Sequence, residues 1–592
     1  MYFSGKTKQL NSLVERLWRH ISLRRRIEFS GLLVLMVVAS FAEVLSLGAV
    51  MPFLGVLTSP EKVFQHPAAQ SLIHIFDITT PSQLLLPLTL VFSAAALLNG
   101  GMRLLLLWAT TRMSVLVGAD LSIDIYRRTL YQPYWLHISR NSSEIINAIS
   151  TKTGVTIHVL LMILNLLSSV VILVAILIAL LAVDTVIALV AMAGFGLIYA
   201  GVIGLTRHSL LENSERVARE TSKVIKSLQE GLGGIRDVLL DGSQALYCEI
   251  YRQSDTRART AHGNSGFLAG APRFAVEALA MLLISGLAYF IAHEPGGIVR
   301  AIPVLGALAL GAQRMLPIMQ QAFASWASIK SNQASLSDAL DLLEQPLPAW
   351  AGSPPPAPLC FAREIHVEHI SFCYAEQGER VLDDVDLIIP RGARIGFIGP
   401  TGSGKSTLLD IVMGLLSPTD GRLRIDGRVV EDGNRRAWQT HLAHVPQSVF
   451  LADASIEENI AFGVPKSQID HARVRQAALQ AQIAETIEAL PQKYQSMVGE
   501  RGVRLSGGQR QRIGIARALY KKADVIIFDE ATSALDNETE RAVMEAIEAL
   551  GSELTILIIA HRISTLRSCD QIFELRKGRL VWAGSYRDVA AR

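Results

Sequence analysis

The sequence contains few charged residues for its length. Asp, Glu, Lys and Arg make up 18% of its 592 residues, whereas hydrophobic residues make up 50%. With a mean hydropathy of +0.33, the chain is too apolar for a soluble enzyme of this size, so we expect part of it to lie in lipid. The formal net charge of +3 is too small to indicate nucleic-acid binding.

Cysteine is also scarce. Cys248, Cys360, Cys373 and Cys569 are scattered through the chain without the spacing of paired ligands. Disulfide-stapled domains and zinc sites need several cysteines at short, regular intervals. The sequence therefore indicates neither a disulfide framework nor a zinc site.

The N-terminal segment, residues 1–26, is basic and precedes a long apolar run. A cleavable signal peptide would have a shorter apolar core and a small-residue cleavage site, whereas the run Ile27–Leu57 is long enough to cross a bilayer. We therefore interpret residues 1–26 as a cytosolic segment and the run as the first membrane span.

Apolar stretches that could cross a bilayer recur over the first 345 residues. The connections 112–158 and 207–273 are rich in Lys and Arg, and 58–82 and 294–297 are poor in them. Because basic connections favour the cytosol, we predict a multi-pass protein of the cytoplasmic membrane with both termini in the cytosol. The predicted spans are residues 27–57, 83–111, 159–183, 185–206, 274–293 and 298–325.

The two basic connections are rich in helix-forming residues, so we expect the membrane helices to continue into the cytosol. Within them, Pro133–His137 and Ile235–Leu240 are candidate contact segments. Their aromatic and apolar residues suit either a coupling role or an ordinary place at a membrane boundary, and the sequence does not decide between the two.

Ionisable residues fall in or beside the predicted spans: Glu43, Arg103, Arg273, Glu277 and Arg314. Such groups normally face a bundle interior, a partner charge or a water-filled cavity. The three arginines could line a cavity that receives an anionic group of a cargo, because Arg matches phosphate well. Equally, either glutamate could pair with an arginine, and Arg273 could extend to the interface.

A Pro-rich linker, residues 346–360, leads into a soluble domain at residues 361–592. There an apolar strand ending at Ile398 runs into a glycine-rich loop and then a helix, the setting of a P-loop. In this loop backbone N–H groups point at phosphates, Lys405 would bridge the β- and γ-phosphates, and Ser406 would bind Mg²⁺. The loop residues are Gly399, Pro400, Thr401, Gly402, Ser403, Gly404, Lys405, Ser406 and Thr407.

Further motifs follow in a fixed order: Gln447, then Gly499–Gly502 leading into Leu505–Gln509, then Asp529 and Glu530 at the end of an apolar strand, and His561 after another. Together these motifs resemble the nucleotide-binding domain of an ABC transporter, and the preceding spans resemble the exporter type. The resemblance implies a membrane α-helical bundle followed by an α/β P-loop ABC ATPase domain.

The chemistry of ATP hydrolysis assigns roles to these residues. Asp529 suits the Mg²⁺ shell with Ser406, and Glu530 is the candidate general base. The resemblance implies that Gln447 and His561 contact the Mg²⁺, water and γ-phosphate, and that Tyr374 stacks on the adenine. It also implies that Ser506, Gly508 and Gln509 bind the γ-phosphate held by the P-loop of a different domain.

The sequence contains one P-loop and one signature segment, whereas the family's hydrolytic site takes one of each from opposing domains. The resemblance therefore implies a homodimer with two equivalent ATP sites.

The cargo is inferred from short segments around Glu43, Arg103, Arg273 and Arg314, which resemble bacterial flippases for lipid-linked oligosaccharides. The resemblance implies ATP-driven export or flipping of a polyprenyl-pyrophosphate glycan across a bacterial cytoplasmic membrane, and the pyrophosphate would suit the arginines.

Other cargoes stay open. A lipid or multidrug exporter would have the same architecture, and an ATP-gated channel could use the same fold. A peptide exporter with a built-in cysteine protease domain is disfavoured, because no Cys precedes Cys248 and only a short basic arm precedes the first span.

Overall fold

The computed structural model describes residues 10–58, 60–65, 80–183, 185–292, 297–354, 356–375, 378–531, 536–548, 553–560 and 562–590, although not every side chain within these ranges. The chain divides into two compact units. The first contains residues 1–132 and 140–349, and the second contains residues 133–139 and 350–592.

The first unit is helical. Its six long helices, α1 to α6, are Leu23–Thr58, Leu85–Leu130, Thr153–Val183, Thr185–Gly233, Gln244–Ala292 and Gly297–Ser331. Shorter helical segments are Leu10–His20, Pro60–Phe64, Pro81–Leu84, Ser142–Asn147, Ala148–Lys152, Ile235–Leu240 and Gln333–Leu343.

Helices α2, α4 and α5 are apolar towards one end and carry charged residues towards the other, whereas α3 contains no Asp, Glu, Lys or Arg. Within the described residues, Leu23–Val50, Leu85–Leu130 and Ser143–Ala179 are long and apolar enough to cross a membrane. Helices α4, α5 and α6 contain the other predicted spans, but many of the side chains there lie outside the described set, so those spans stay predictions. Each of α2, α4 and α5 has 46 residues or more, well beyond the length of a bilayer-spanning helix.

The N-terminal helix Leu10–His20 packs on the helix Gln333–Leu343. Its buried Leu13 and Leu17 join the same core cluster as Leu336 and Leu340. Periodic apolar residues on one face of a short helix need such a partner, because the isolated helix could not bury them.

The second unit contains two sheets. Its strands are β1 Glu364–Phe372, β2 Leu382–Pro390, β3 Arg394–Ile398, β4 Asp420–Ile425, β5 Arg428–Val429, β6 Leu442–Val445, β7 Val525–Asp529, β8 Thr555–Ile559, β9 Gln571–Arg576 and β10 Arg579–Gly584. The four-stranded sheet has the order β2-β1-β4-β5, and the six-stranded sheet has the order β10-β9-β3-β8-β7-β6.

Helical segments of the second unit cover the larger sheet. Apolar residues alternate between its faces: Ile526 and Phe528 pack into one core cluster, and Val525 and Ile527 pack into the other. The helical segments are Tyr134–Ser139, Lys405–Val412, Arg435–Gln439, Ile456–Ile460, Lys466–Gln468, His471–Gln480, Ala484–Glu488, Lys493–Gln495, Glu500–Gly502, Gly507–Lys521, Asn537–Glu548, Ile563–Leu566 and Tyr586–Ala590.

The topology brings the ends of several strands to one edge. Strands β3, β8, β7 and β6 run parallel in that order, with Asp529 opposite Ile559. In a parallel sheet the loops after the strands converge at the carboxyl edge, which is where open α/β sheets bind ligands. The loop after Ile398, the acidic pair after Phe528 and Gln447 after β6 therefore lie along the same edge.

The short helix Tyr134–Ser139 groups with the second unit, although the sequence around it belongs to the first. It contains most of the candidate contact segment Pro133–His137. Trp135 and Ile138 line a cavity of about 630 Å³ together with Tyr374 and Leu415. The expected membrane region, residues 27–345, therefore contributes one segment to the other compact unit.

Candidate active site

The loop Gly399–Thr407 connects β3 to the helix Lys405–Val412. Two of its glycines are required by close approaches of backbone. A Cβ atom on Gly399 would lie 2.2 Å from the carbonyl oxygen of Leu575, and one on Gly404 would lie 2.8 Å from that of Val381. Both glycines also have positive φ angles, 144° and 100°, which L-residues rarely adopt.

Lys405 is buried beneath this loop, with 7% of its surface exposed. Its Nζ donates to the carbonyl oxygens of Gly399 at 2.8 Å and Pro400 at 3.0 Å. Burial lowers the pKa of Lys405, and the nearby carboxylates of Glu530 and Asp529 oppose that shift. The ammonium is thus held by neutral acceptors, which a phosphate oxygen can replace.

Asp529 ends β7 beside the loop. Burial raises its pKa, the neighbouring Glu530 raises it further, and the hydrogen bond from the Ser406 hydroxyl lowers it. A half-buried carboxylate in contact with a hydroxyl is a donor set that suits Mg²⁺, which binds a few protein oxygens and takes the rest from phosphates and water. Ser406, Gln447 and Asp529 would hold the ion, and it would neutralise charge on the phosphates when bound.

Glu530 follows Asp529 in the left-handed region of the backbone, with φ 51°. Its N–H donates to the carbonyl oxygen of Ile559 at 3.1 Å, and the Nε2 of Gln447 donates to its Oε2 at 2.6 Å. A non-glycine residue in this conformation is strained, and such strain is typical of functional sites. The arrangement fixes the carboxylate so that it can orient a water molecule.

Tyr374 lies beside the helix that follows the loop. Its hydroxyl is 3.1 Å from the Oγ1 of Thr407, and its ring meets that of Phe372 edge to face at 4.9 Å. With 52% of its surface exposed, the ring keeps a face available for stacking on a base.

Ser506 caps the helix Gly507–Lys521. Its side chain accepts a hydrogen bond from the N–H of Gln509, and the Gln509 side chain accepts one from the N–H of Ser506. Ser506 is exposed, and the N-terminus of a helix favours an anion. Ser506 and Gln509 thus have a structural role that we did not predict, and Gly508 lies in the first helical turn. His561 lies outside the described residues.

The arginines of the predicted spans are paired wherever their side chains are described. The Nη2 of Arg103 lies 2.7 Å from the Oε2 of Glu43, which is 2% exposed, while the Arg103 side chain is 50% exposed. The Nε of Arg273 lies 3.1 Å from the Oε1 of Glu277 on the same helix. The side chain of Arg314, on α6, lies outside the described set.

Asp410 is a half-buried acid next to the site that the sequence did not predict. It lies in the second turn of the helix after the loop, and burial together with the nearby Asp529 raises its pKa to about 6. The sequence does contain a hint, a lone acid within the apolar stretch Leu408–Val412. An acidic group of this kind costs stability when it is ionised.

We expect Asp410→Asn to stabilise the second unit at pH 7. Because the folded-state pKa of Asp410 is raised, the destabilisation that this residue causes is absent at low pH and grows as the pH rises from about 4 to above 6. After discounting for solvent screening, the gain at pH 7 should be about 1 kcal/mol. Thermal unfolding of the full-length protein, followed at pH 4.5 and pH 7.5, measures it.

The exposed Asp453 provides the control. Asp453→Asn should leave the unfolding temperature unchanged at both pH values. A stabilisation by Asp410→Asn that is equal at both pH values would contradict the burial explanation.

The two regions of the chain match two different profiles of known protein families. The profile of the ABC transporter transmembrane region matches residues 29–293, and the ABC transporter profile matches residues 382–533. A solved structure of a bacterial Atm1-family ABC exporter with ATP bound matches with a TM-score of 0.78 at 24% identity, covering 96% of both chains, which shows a shared fold.

Two relatives carry the name ATP-dependent lipid A-core flippase. The protein of Alkalilimnicola ehrlichii is 33% identical over 404 residues, which cover 67% of each chain. The protein of Ralstonia nicotianae is 42% identical over 230 residues, so that match spans 39% of the relative's length.

Proposed function

Because the chain belongs to the ABC transporter family and combines the exporter-type membrane region with the ATPase domain, we propose that it is an ATP-driven flippase or exporter of a lipid-linked oligosaccharide. The reaction would be hydrolysis of MgATP coupled to transfer of a polyprenyl-pyrophosphate glycan across a bacterial cytoplasmic membrane, with both termini of the chain in the cytosol.

A homodimer follows from the composition of the site. Each chain supplies one loop with Lys405 and one capped helix with Ser506. If the γ-phosphate is bound between the two, a second copy must provide the missing half. ATP would then favour the closed pair and hydrolysis would release it, which moves the membrane helices between two states.

A lipid cargo is supported by the names of the relatives, which are lipid A-core flippases. Our choice of an anionic headgroup rests on the Glu43–Arg103 pair. The Nη2 and Nε of Arg103 both contact Oε2 of the buried Glu43 carboxylate, at 2.7 Å and 2.9 Å. Half of the Arg103 side chain is exposed. The guanidinium is thus oriented and keeps donors free for a phosphate.

We expect Arg103→Gln, Arg273→Gln and Arg314→Gln together to reduce the glycolipid transferred per ATP hydrolysed at least about tenfold, because each charge-assisted hydrogen bond contributes roughly 1.5–3 kcal/mol. The measurement is leaflet transfer in proteoliposomes containing lipid-linked oligosaccharide, phospholipid or an apolar drug.

Arg252 is a suitable control, since it is paired with Glu249 outside the predicted spans. Arg252→Gln should transfer as much glycolipid per ATP hydrolysed as the parental protein. Unchanged transfer by the triple variant would remove the case for a phosphate-binding cavity, and preferred transfer of phospholipid or drug would identify a lipid or multidrug exporter.

A further inference from the structure

A cleft of about 400 Å³ lies between α4 and α5, outside the predicted spans. Its volume falls within the range of roughly 300–1,000 Å³ that is typical of small-molecule sites. The lining residues are Arg216, Arg219 and Glu220 of α4 and Thr256, Arg257 and Thr260 of α5.

The cleft carries positive charge that the described residues do not neutralise. Among those residues, neither Arg216 nor Arg257 has a carboxylate partner, and Arg219 meets Glu215 only at 3.8 Å. The neighbouring arginines of α5 differ: Arg252 pairs with Glu249 at 2.7 Å, and Arg259 pairs with Asp255 at 2.6 Å. Arg216 and Arg257 are therefore available to an anion, and Arg219 is held only weakly by its carboxylate partner.

Glu220 places a second requirement on any ligand of this cleft. It is 6% exposed, and its Oε1 accepts a hydrogen bond from Lys223 at 2.7 Å. Its Oε2 is buried with no hydrogen-bond partner among the described residues. A buried carboxylate oxygen without a donor is costly, so a ligand that brings a hydroxyl would be favoured over one that brings only acceptors.

We infer that this cleft binds a sugar phosphate, with the phosphate on Arg216, Arg219 and Arg257 and a sugar hydroxyl donating to Glu220 Oε2. The inference rests on the proposed function, because such a group is the headgroup chemistry of a lipid-linked glycan. Arg103 and Arg273 each have a carboxylate partner, Glu43 and Glu277, whereas Arg216 and Arg257 have none among the described residues. These two arginines would therefore make the first contact with the headgroup on the cytosolic side.

Calorimetry on the full-length protein in nanodiscs tests the site, with Lys405→Met present throughout to remove phosphate binding by the P-loop. Glucose 1-phosphate should bind at least about tenfold more tightly than glucose or inorganic phosphate, because it alone satisfies both parts of the cleft. Arg216→Gln with Arg257→Gln should weaken its binding at least about tenfold. Glu220→Gln should weaken the binding of glucose 1-phosphate and leave the binding of inorganic phosphate unchanged.

Arg259→Gln is the matched control: the residue is on the same helix, exposed and paired away from the cleft. Equal weakening by this variant, no preference for glucose 1-phosphate over phosphate, or loss of the oligomer in the double variant without a change in binding would overturn the inference.

A second arm separates a lipid headgroup from a free sugar phosphate. Polyprenyl-phosphate sugar in the nanodisc should displace glucose 1-phosphate, whereas polyprenol should not; failure of the lipid to compete would overturn the headgroup assignment. Specific binding in the cleft without leaflet transfer of any glycolipid would contradict the proposed function alone, and transfer that persists in the double variant would contradict the cleft alone.

Discussion

Glu530→Gln should bind MgATP with the parental affinity and hydrolyse it about 10²–10⁴-fold more slowly, the range expected for loss of a general base. The substitution keeps the shape of the side chain, so the hydrogen bond from Gln447 at 2.6 Å and the backbone conformation with φ 51° are both retained. The lost property is the basicity that accepts a proton from the attacking water. Steady-state ATPase assays and equilibrium ATP binding measure the two effects separately.

Glu545→Gln is a suitable control, because Glu545 is paired with Arg541 on an exposed helix face away from the loop. It should hydrolyse ATP at the parental rate. Hydrolysis at that rate by Glu530→Gln would show that another group is the base, and loss of ATP binding would show that the carboxylate is needed for the site itself.

If two copies share their ATP sites, as we propose, combining two inactive variants in one dimer should restore activity. Lys405→Met removes the charge under the phosphate loop and keeps the buried stem. Ser506→Asp keeps a residue that caps helices well but opposes a phosphate with a negative charge. In the mixed dimer one composite site carries both changes and the other carries neither, so hydrolysis should recover to about half of the parental rate.

The mixed dimer can be isolated with a different affinity tag on each copy. Each homodimer should lose at least about 10²-fold in hydrolysis, the loss typical when one phosphate-stabilising group is removed. If each chain completed its own site, both halves of the mixed dimer would be damaged and no activity would return. Thermal unfolding at the parental temperature checks that Ser506→Asp preserves the capped helix.

The ATPase domain was predictable because its pattern is local. Strand β3 ends at Ile398 and β7 ends at Asp529, where the sequence analysis places the ends of the two apolar strands. The glycine-rich loop follows its strand within one residue and begins its helix at Lys405. Hydrophobic period and turn chemistry act over neighbouring residues, so the sequence is sufficient to recognise them.

The pairing of charges in the membrane region was not predictable in the same way. The alternatives for Glu43 and Arg103 could not be separated from the sequence, because the two residues are 60 positions apart and belong to different helices. The cleft at Arg216 and Arg257 was also missed, since it forms only where α4 and α5, which are separated by the short helix Ile235–Leu240, lie side by side.

The sequence by itself determined the family, the order of membrane helices and ATPase domain, and the identity of the phosphate loop, because each depends on spacing along the chain. Tertiary structure alone decided which charges meet. It placed Gln447 on Glu530 across 83 positions, buried Glu43 against Arg103, and left Arg216 and Arg257 without a carboxylate partner among the described residues. The reason is that an ion pair depends on distance and burial in space, and neither is encoded in the spacing of residues along one strand or helix.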